Sequence, residues 1–123
     1  MEHFSKIASL YARLLKLPND SPRLKSEGRS VRAMIASEMA KLSGDWKGNA
    51  YQSIFVTLNR MDTKIRAHTG DRTPITKEEL AAAPTSNTSI IDEIERSSKG
   101  VFNGISVSDE DGSVSVRWKP EGG

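Results

Sequence analysis

The sequence predicts a mainly α protein, a three-to-four-helix antiparallel bundle followed by a short C-terminal β-hairpin. Apolar side chains recur at intervals of three and four residues through residues 1–68, the period of one face of an α-helix. Segments rich in proline and glycine break this pattern twice, as helix connections do. Near the C-terminus apolar residues alternate on both sides of an Asp-Gly pair, which indicates a hairpin. We therefore expect a helical domain at 1–103 and a hairpin or tail at 104–123.

The first two helices are delimited by the segment between them. Helix one is expected over about residues 4–17, because Pro18 pushes the preceding residue out of the α region. Asp20 or Ser21 is expected to cap helix two, with Pro22 in its first turn. Both helices then carry one apolar face, so they must cover each other or a partner.

The third helix and the segments after it have their own end signals. Helix three is expected over about residues 50–68, with Gly70 as its C-cap. Thr76 begins a capping-box pattern before a short helix that Pro84 ends. A fourth amphipathic segment follows at about residues 91–102, with an acidic first turn that suits a helix N-terminus.

The C-terminal hairpin has a predicted register. A two-residue turn at residues 111–112 would oppose Val107 to Val116 and Ile105 to Trp118 on one apolar face. An isolated hairpin is marginally stable in water. Three alternatives follow: this face docks on the domain's own helices, docks on a partner, or remains undocked.

Charge is unevenly distributed along a chain whose formal net charge is only +2. Residues 1–72 hold 13 Lys and Arg against 7 Asp and Glu, whereas residues 73–123 hold 5 against 9. A basic front half would steer the protein toward anionic partners such as RNA or a ribosome surface. The alternative is that these charges only solvate helix faces.

No motif indicates an enzyme, a metal site or a bound cofactor. The chain has no cysteine, which excludes disulfides, thiolate zinc sites and a thiol nucleophile. His3 and His68 lie in different segments and lack the spacing of a helical metal site. No glycine-rich phosphate loop or nucleophile elbow is present. No apolar run is long enough to span a bilayer, so we expect a soluble protein. Because no catalytic motif is found, we expect it to be a non-catalytic interaction module.

Exposed cations and aromatic side chains are the candidates for contact with a partner. The outer face of helix two is expected to present Arg23, Arg29 and Arg32, and helix three ends with Lys64 and Arg66. On phosphates, these five residues would make a basic nucleic-acid-binding module.

Aromatic residues are a second group of candidates. Trp46, in the connector between helices two and three, is a further contact candidate. Tyr11, Tyr51 and Phe55 follow the apolar stripes and are expected in the core.

Part of the chain resembles a known family. Residues 11–17 (YARLLKL), followed by Pro18, Asp20 and Arg23, resemble the opening of the small mitochondrial assembly factors for cytochrome b and the ubiquinol–cytochrome c reductase complex. These are the mitochondrial nucleoid factor type and its fungal cytochrome b translation-factor counterparts. The run Lys-Gly-Val-Phe at residues 99–102 is similar to the end of their acidic fourth segment.

The resemblance implies a non-catalytic mitochondrial matrix protein, peripheral to the inner membrane at most. Such a protein forms a heterodimer with a larger assembly factor, lies near the mitochondrial ribosome and its RNA, and supports the synthesis and stabilisation of newly made cytochrome b. Residues 10–13 (LYAR) are also similar to the motif of the LYR adaptors, whose bundle binds acyl carrier protein. The alternative is therefore an LYR-type adaptor. Together, the candidate partner-binding residues are Tyr11, Arg13, Arg23, Arg29, Arg32, Lys64, Arg66 and Trp118.

Overall fold

The computed structural model describes residues 2–42, 49–84, 90–96 and 100–119. Within them the chain forms five helices and one two-stranded antiparallel sheet, which confirms the mainly α fold with a C-terminal hairpin. The elements are α1 (Glu2–Lys16), α2 (Leu24–Leu42), α3 (Asn49–Thr69), α4 (Lys77–Ala82), α5 (Ile90–Arg96), β1 (Val101–Val107) and β2 (Val114–Lys119).

Local signals place most helix ends within two residues of their predicted positions. The Ser21 hydroxyl accepts a 3.3 Å hydrogen bond from the Arg23 amide, and α2 begins just after this turn. Gly70 has a φ of +73° and donates its N–H to the Arg66 carbonyl at the end of α3. Thr76 and Glu79 form the predicted reciprocal capping box at the start of α4.

The apolar faces of α1, α2 and α3 meet in one core, to which α5 and β1 contribute. Burying each large apolar side chain stabilises the fold by roughly 1.5–3 kcal/mol relative to its exposure. The largest fully buried apolar side chains are Phe4, Ile7, Tyr11, Leu14, Ile35, Ile54, Leu58, Met61, Ile65, Ile90 and Ile94. The predicted core positions of α1 and α3 whose side chains are described are confirmed except at two residues, since Leu15 is half-buried and packs against the core, and Phe55 is half-buried. The side chain of Tyr51 lies outside the described residues.

The hairpin forms, but its predicted register is wrong by two residues. Val107 pairs with Val114 and Ile105 with Val116, whereas Trp118 faces Phe102. The Ser108 amide donates to the Ser113 carbonyl at 3.0 Å, so the connection is a four-residue loop over residues 109–112. The Asp-Gly pair lies at the end of this loop and does not form a two-residue turn.

The loop is seated directly on the backbone of α1. Gly112 is buried and has a φ of +71°. A Cβ on this residue would lie 2.5 Å from the Ala8 carbonyl oxygen and 2.7 Å from the Ser9 Cα. Glycine is therefore required both by the backbone conformation and by the close approach. The hairpin docks on the domain's own helices, which is one of the predicted alternatives.

Strand β1 begins earlier than the predicted end of the helical segment. Val101 and Phe102 were expected on the fourth amphipathic helix, but they lie in β1, and α5 ends at Arg96. A bulge between Phe102 and Gly104 then shifts the inward face by one residue, so that Gly104 and Ile105 are both buried. The expected boundary between residues 103 and 104 thus falls inside this strand.

Candidate functional site

The predicted basic face of α2 is mostly an internal feature of the fold. Arg32 is only 5% exposed, and the side chain of Arg29 is 19% exposed. The expectation that both arginines lie on an outer face is therefore wrong. At the start of α2, the exposed cations are Lys25 and, just before the helix, Arg23.

Arg29 holds the loop after α3 and helix α4 against α2. Its guanidinium makes a two-point ion pair with Glu79, in which Nε lies 2.9 Å from Oε2. It also donates to the carbonyls of Thr73 and Pro74, at 2.6 and 3.0 Å. Hydrogen bonds from Arg29 and from Thr76 lower the pKa of Glu79 to about 2. A planar guanidinium suits this bidentate arrangement, which lysine would not reproduce.

Arg32 and Arg66 share a second carboxylate. Arg32 Nε lies 2.9 Å from Asp62 Oδ1, and Arg66 Nε lies 3.1 Å from Asp62 Oδ2. Arg32 also donates to the Thr73 carbonyl at 2.9 Å. Because Arg32 is buried, these contacts compensate for the loss of its hydration. Its assigned role in partner binding is replaced by a structural one.

Asp109, in the hairpin loop, collects three donors from α1 and α3. The Tyr11 hydroxyl donates to Asp109 Oδ1 at 2.6 Å, and Arg60 Nη1 lies 3.1 Å from the same oxygen. Lys64 pairs with the other oxygen. Burial raises the pKa of Asp109, but the hydrogen bonds from Lys64, Tyr11 and Arg60 outweigh it and lower the pKa to about 2. Burial and the bond to Asp109 also raise the pKa of Tyr11.

These contacts change the meaning of the uneven charge distribution. Glu79 and Asp109 come from the acidic second half of the sequence, and they pair with Arg29, Arg60 and Lys64 from the basic first half. Much of the excess positive charge is therefore neutralised inside the molecule and does not form a general basic surface.

Two aromatic candidates also take structural positions. The Tyr11 ring is fully buried, as expected of a core residue. Trp118 is half-buried, packs against the core and meets Phe102 edge to face, with ring centroids 6.1 Å apart. Trp46 lies outside the described residues.

One group of exposed cations lies along α1 and at the start of α2. Lys6, Arg13 and Lys16 are exposed and make no ion pair with any part of the chain that the structure describes. Residues 6 and 13 lie two turns apart, and residue 16 lies one turn further on, so all three share the side of α1 that faces away from the core. At the start of α2, Lys25 is also exposed, and Arg23 makes only a 3.7 Å pair with Glu27. We call these five residues the α1 basic surface.

An apolar groove adjoins the α1 basic surface between α1 and α2. It has a volume of ≈ 170 Å³ and is lined by Leu10, Arg13, Glu27, Ser30 and Val31. Leu10 is half-buried, so part of its side chain remains available to a ligand. The groove is about the size of one large aliphatic or aromatic side chain, and a cation lies at its rim.

Both histidines have a partner within the described structure. His68 Nε2 donates to the Leu17 carbonyl at 2.9 Å, which caps the end of α1, and His3 Nε2 lies 3.2 Å from the buried carboxylate of Glu38. Among the described residues, no group of three or more His, Cys, Asp or Glu side chains is arranged to hold a metal ion. No helix in the described part of the chain is long and apolar enough to cross a membrane.

Comparison with known proteins identifies no related protein. No protein-family model, no curated protein and no solved structure matches the chain. The interpretation of the site therefore depends on the residues and their geometry.

Sequence reasoning missed the acidic partners of the arginines. Asp62, Asp71, Glu79 and Asp109 were not candidates, although they neutralise or orient most of the predicted basic residues. Asp71 follows Gly70 directly, and Asp109 precedes the Asp-Gly pair, so both lie where the chain turns back. An acid in a turn that returns toward a basic helix is the signal that would have suggested internal pairing.

Proposed function

We propose that the chain is a non-catalytic adaptor that binds a larger protein through the α1 basic surface and the groove beside it. The observation that carries the proposal is the position of Arg13. Arg13 has no ion-pair partner among the described residues and lines the groove together with Leu10, Glu27 and Val31. An apolar recess beside unpaired cations suits a partner segment that carries an apolar anchor and acidic neighbours.

The family resemblance gives this adaptor a specific cellular role. On that basis we propose an assembly factor for mitochondrial respiratory complex III, located in the matrix and at most peripheral to the inner membrane. It would form a heterodimer with a larger cytochrome b assembly factor and support newly made cytochrome b. The similarity of residues 10–13 to the LYR motif supports the alternative, an adaptor for acyl carrier protein.

The test is affinity purification of the tagged full chain from its native cell, with identification of the partner present in stoichiometric amount. A larger cytochrome b assembly factor supports the specific role. Acyl carrier protein supports the adaptor alternative and contradicts the specific role.

A charge reversal tests the surface itself. Arg13→Glu with Lys16→Glu should reduce recovery of the partner without lowering the melting temperature, because exposed charges contribute little to stability and much to association. The matched control is Arg72→Glu with Lys77→Glu, which makes the same charge change at exposed positions outside the α1 basic surface. Equal recovery with both double variants would show that the α1 basic surface is not the binding surface.

Nucleic acid is a second candidate ligand, favoured by the same five exposed cations. Binding to single-stranded RNA would weaken steeply with salt, with a slope of log K against log salt near −0.7 for each phosphate contact. RNA binding that falls in this way, and is lost in the α1 double reversal, would support this candidate. Partner recovery that persists after nuclease treatment would favour the protein partner.

A further inference from the structure

One edge of the hairpin is closed by α3. The Ile105 amide donates to Ser53 Oγ at 3.0 Å, and the Ile105 carbonyl accepts from Thr57 Oγ1 at 3.2 Å. The Val107 carbonyl accepts from Arg60 Nη2 at 3.2 Å. Side chains of α3 thus bond to three of the backbone groups that β1 directs away from β2.

The other edge, formed by β2, is not covered by any part of the chain that the structure describes. In an antiparallel pair, opposed residues alternate between those that exchange hydrogen bonds and those that do not. The bond from Ser108 to Ser113, and the α3 contacts of Ile105, show that Ile105 and Val107 do not bond across to β2. Their opposite residues, Val116 and Val114, therefore direct N–H and C=O away from β1.

No described residue bonds to these outward groups of β2. By the same alternation, Trp118 directs its backbone groups to the same side. An unpaired strand edge of this kind is a template for another strand.

We propose that β2 pairs with β2 of a second copy of this chain, antiparallel and about a two-fold axis at Val116. This register places Val114 opposite Trp118 of the second copy. The half-buried apolar residues of the two strands, which share one face of β2, then form a continuous row across the interface. The outward backbone groups of both strands are satisfied at the same time.

The charges of the hairpin suit this self-pairing. The two strands of one hairpin carry Arg117 and Lys119 and no acidic residue, whereas the loop carries Glu110 and Asp111. In the two-fold register Arg117 lies opposite Ser115 of the second copy. Its guanidinium is turned toward β1, since a Cβ on Gly104 would lie 3.0 Å from Arg117 Cζ. Lys119 lies opposite Ser113 and points along the strand toward the acidic loop of the second copy.

The pairing is expected to end at two copies. In a dimer joined through β2, each outer edge of the four-stranded sheet is a β1 strand, which α3 covers at Ile105 and Val107. A two-fold contact of this kind uses the same surface on both copies and forms a closed assembly. The contacts from Ser53, Thr57 and Arg60 thus oppose growth into a fibre, which is the usual hazard of an open edge.

Sedimentation velocity of the full chain over a wide concentration range tests the dimer. We expect a concentration-dependent shift from monomer to dimer. Val116→Pro removes an outward N–H and leaves the bonds to β1 intact, so its dimer dissociation constant should rise by about tenfold or more. Val116→Ala keeps the N–H and should have a smaller effect. Unchanged amide exchange at the β1-bonded positions would verify that the hairpin of the proline variant is still formed.

A charge exchange separates contacts between copies from effects within one chain. Glu110→Lys and Lys119→Glu should each weaken the dimer, and the double variant should restore it. Within one hairpin the two residues lie at opposite ends, so restoration requires contact between copies. A monomer at every concentration, a dimer indifferent to Val116→Pro, or a double variant weaker than both single variants would overturn the proposal. A monomer would leave the edge to a strand from a different protein.

Discussion

Asp109→Asn should loosen the hairpin from the helices, because Asp109 is the point at which α1, α3 and the hairpin loop meet. The substitution keeps the size of the side chain and removes its charge. Arg60 and Lys64 then lose their shared carboxylate, while an amide oxygen remains available to the Tyr11 hydroxyl.

The expected magnitude follows from the pKa of Asp109, which falls from 3.8 to about 2 in the folded protein. A difference of one pH unit corresponds to about 1.4 kcal/mol of stability, so the upper value is about 2.5 kcal/mol. The Asp109 side chain is 32% exposed and that of Lys64 is 46% exposed, so solvent screening reduces the expected loss to roughly 1–2 kcal/mol. For a domain of this size, that is a fall of roughly 3–8 °C in Tm.

The pH dependence of the loss distinguishes charge from packing. Because the pKa of Asp109 is lower in the folded state, its contribution is fully present above the unfolded value of 3.8 and is lost as the pH falls toward 2. Urea unfolding of wild type and Asp109→Asn from pH 7 to pH 2 should therefore give free energies of unfolding that approach each other as the pH falls below 3.8. Asp20→Asn, which makes the same chemical change at an exposed position without an ion pair among the described residues, is the matched control and should have little effect at either pH. An equal effect of both variants at pH 7, or a difference that does not change with pH, would refute this account.

Three further substitutions test the packing of the fold by thermal or urea unfolding. Gly112→Ala should lower the free energy of unfolding clearly more than Gly70→Ala does. Both glycines have positive φ, so alanine introduces a strain of about 1 kcal/mol at either position, but only a Cβ at residue 112 would clash with the backbone of α1. Equal losses of stability would contradict the docked loop. Arg32→Met should cost roughly 1.5–3 kcal/mol of stability because it removes the charged hydrogen bonds from Arg32 to Asp62 and Thr73 while Asp62 keeps its pair with Arg66, and an unchanged stability would show that the pair is only a surface contact. Trp118→Ala should lower stability by about 2 kcal/mol, as a half-buried aromatic side chain loses its packing, and an unchanged Tm would indicate that Trp118 does not pack on the core.

The features that were predicted well from the sequence are those that depend on residues within about one turn of the chain. The apolar period of α1, the glycine that ends α3 and the capping box at Thr76 all depend on neighbours three or four residues away. The Asp-Gly pair likewise predicted a hairpin. It did not predict the register, because the loop length is set by contacts with residues far away in the sequence. Asp109 must reach Tyr11, 98 residues earlier, and Gly112 must approach the backbone of α1.

The exposure of the arginines was not predictable for a similar reason. In the sequence, Arg29 and Arg32 look like the polar side of an amphipathic helix, and arginine is rarely buried unless it is paired. Their burial depends on Asp62, Asp71 and Glu79, which the fold brings to α2 from α3, the following loop and α4. A pattern confined to one helix carries no information on such partners.

The LYAR segment at residues 10–13 shows what this pairing leaves for a partner to recognise. The side chains of this segment lie on different sides of α1. Tyr11 points into the core and donates a hydrogen bond to Asp109, whereas Leu10 and Arg13 line the outer groove. Tyr11 therefore joins α1 to the hairpin, and a partner would contact Leu10 and Arg13. Asp109 already pairs with Lys64 and Arg60, and Glu79 pairs with Arg29, so these cations are neutralised within the chain, whereas those of the α1 basic surface keep their charge exposed. Of the exposed cations, Arg13 also lines the groove with Leu10, which is why the proposed partner contact is placed on this side of the protein.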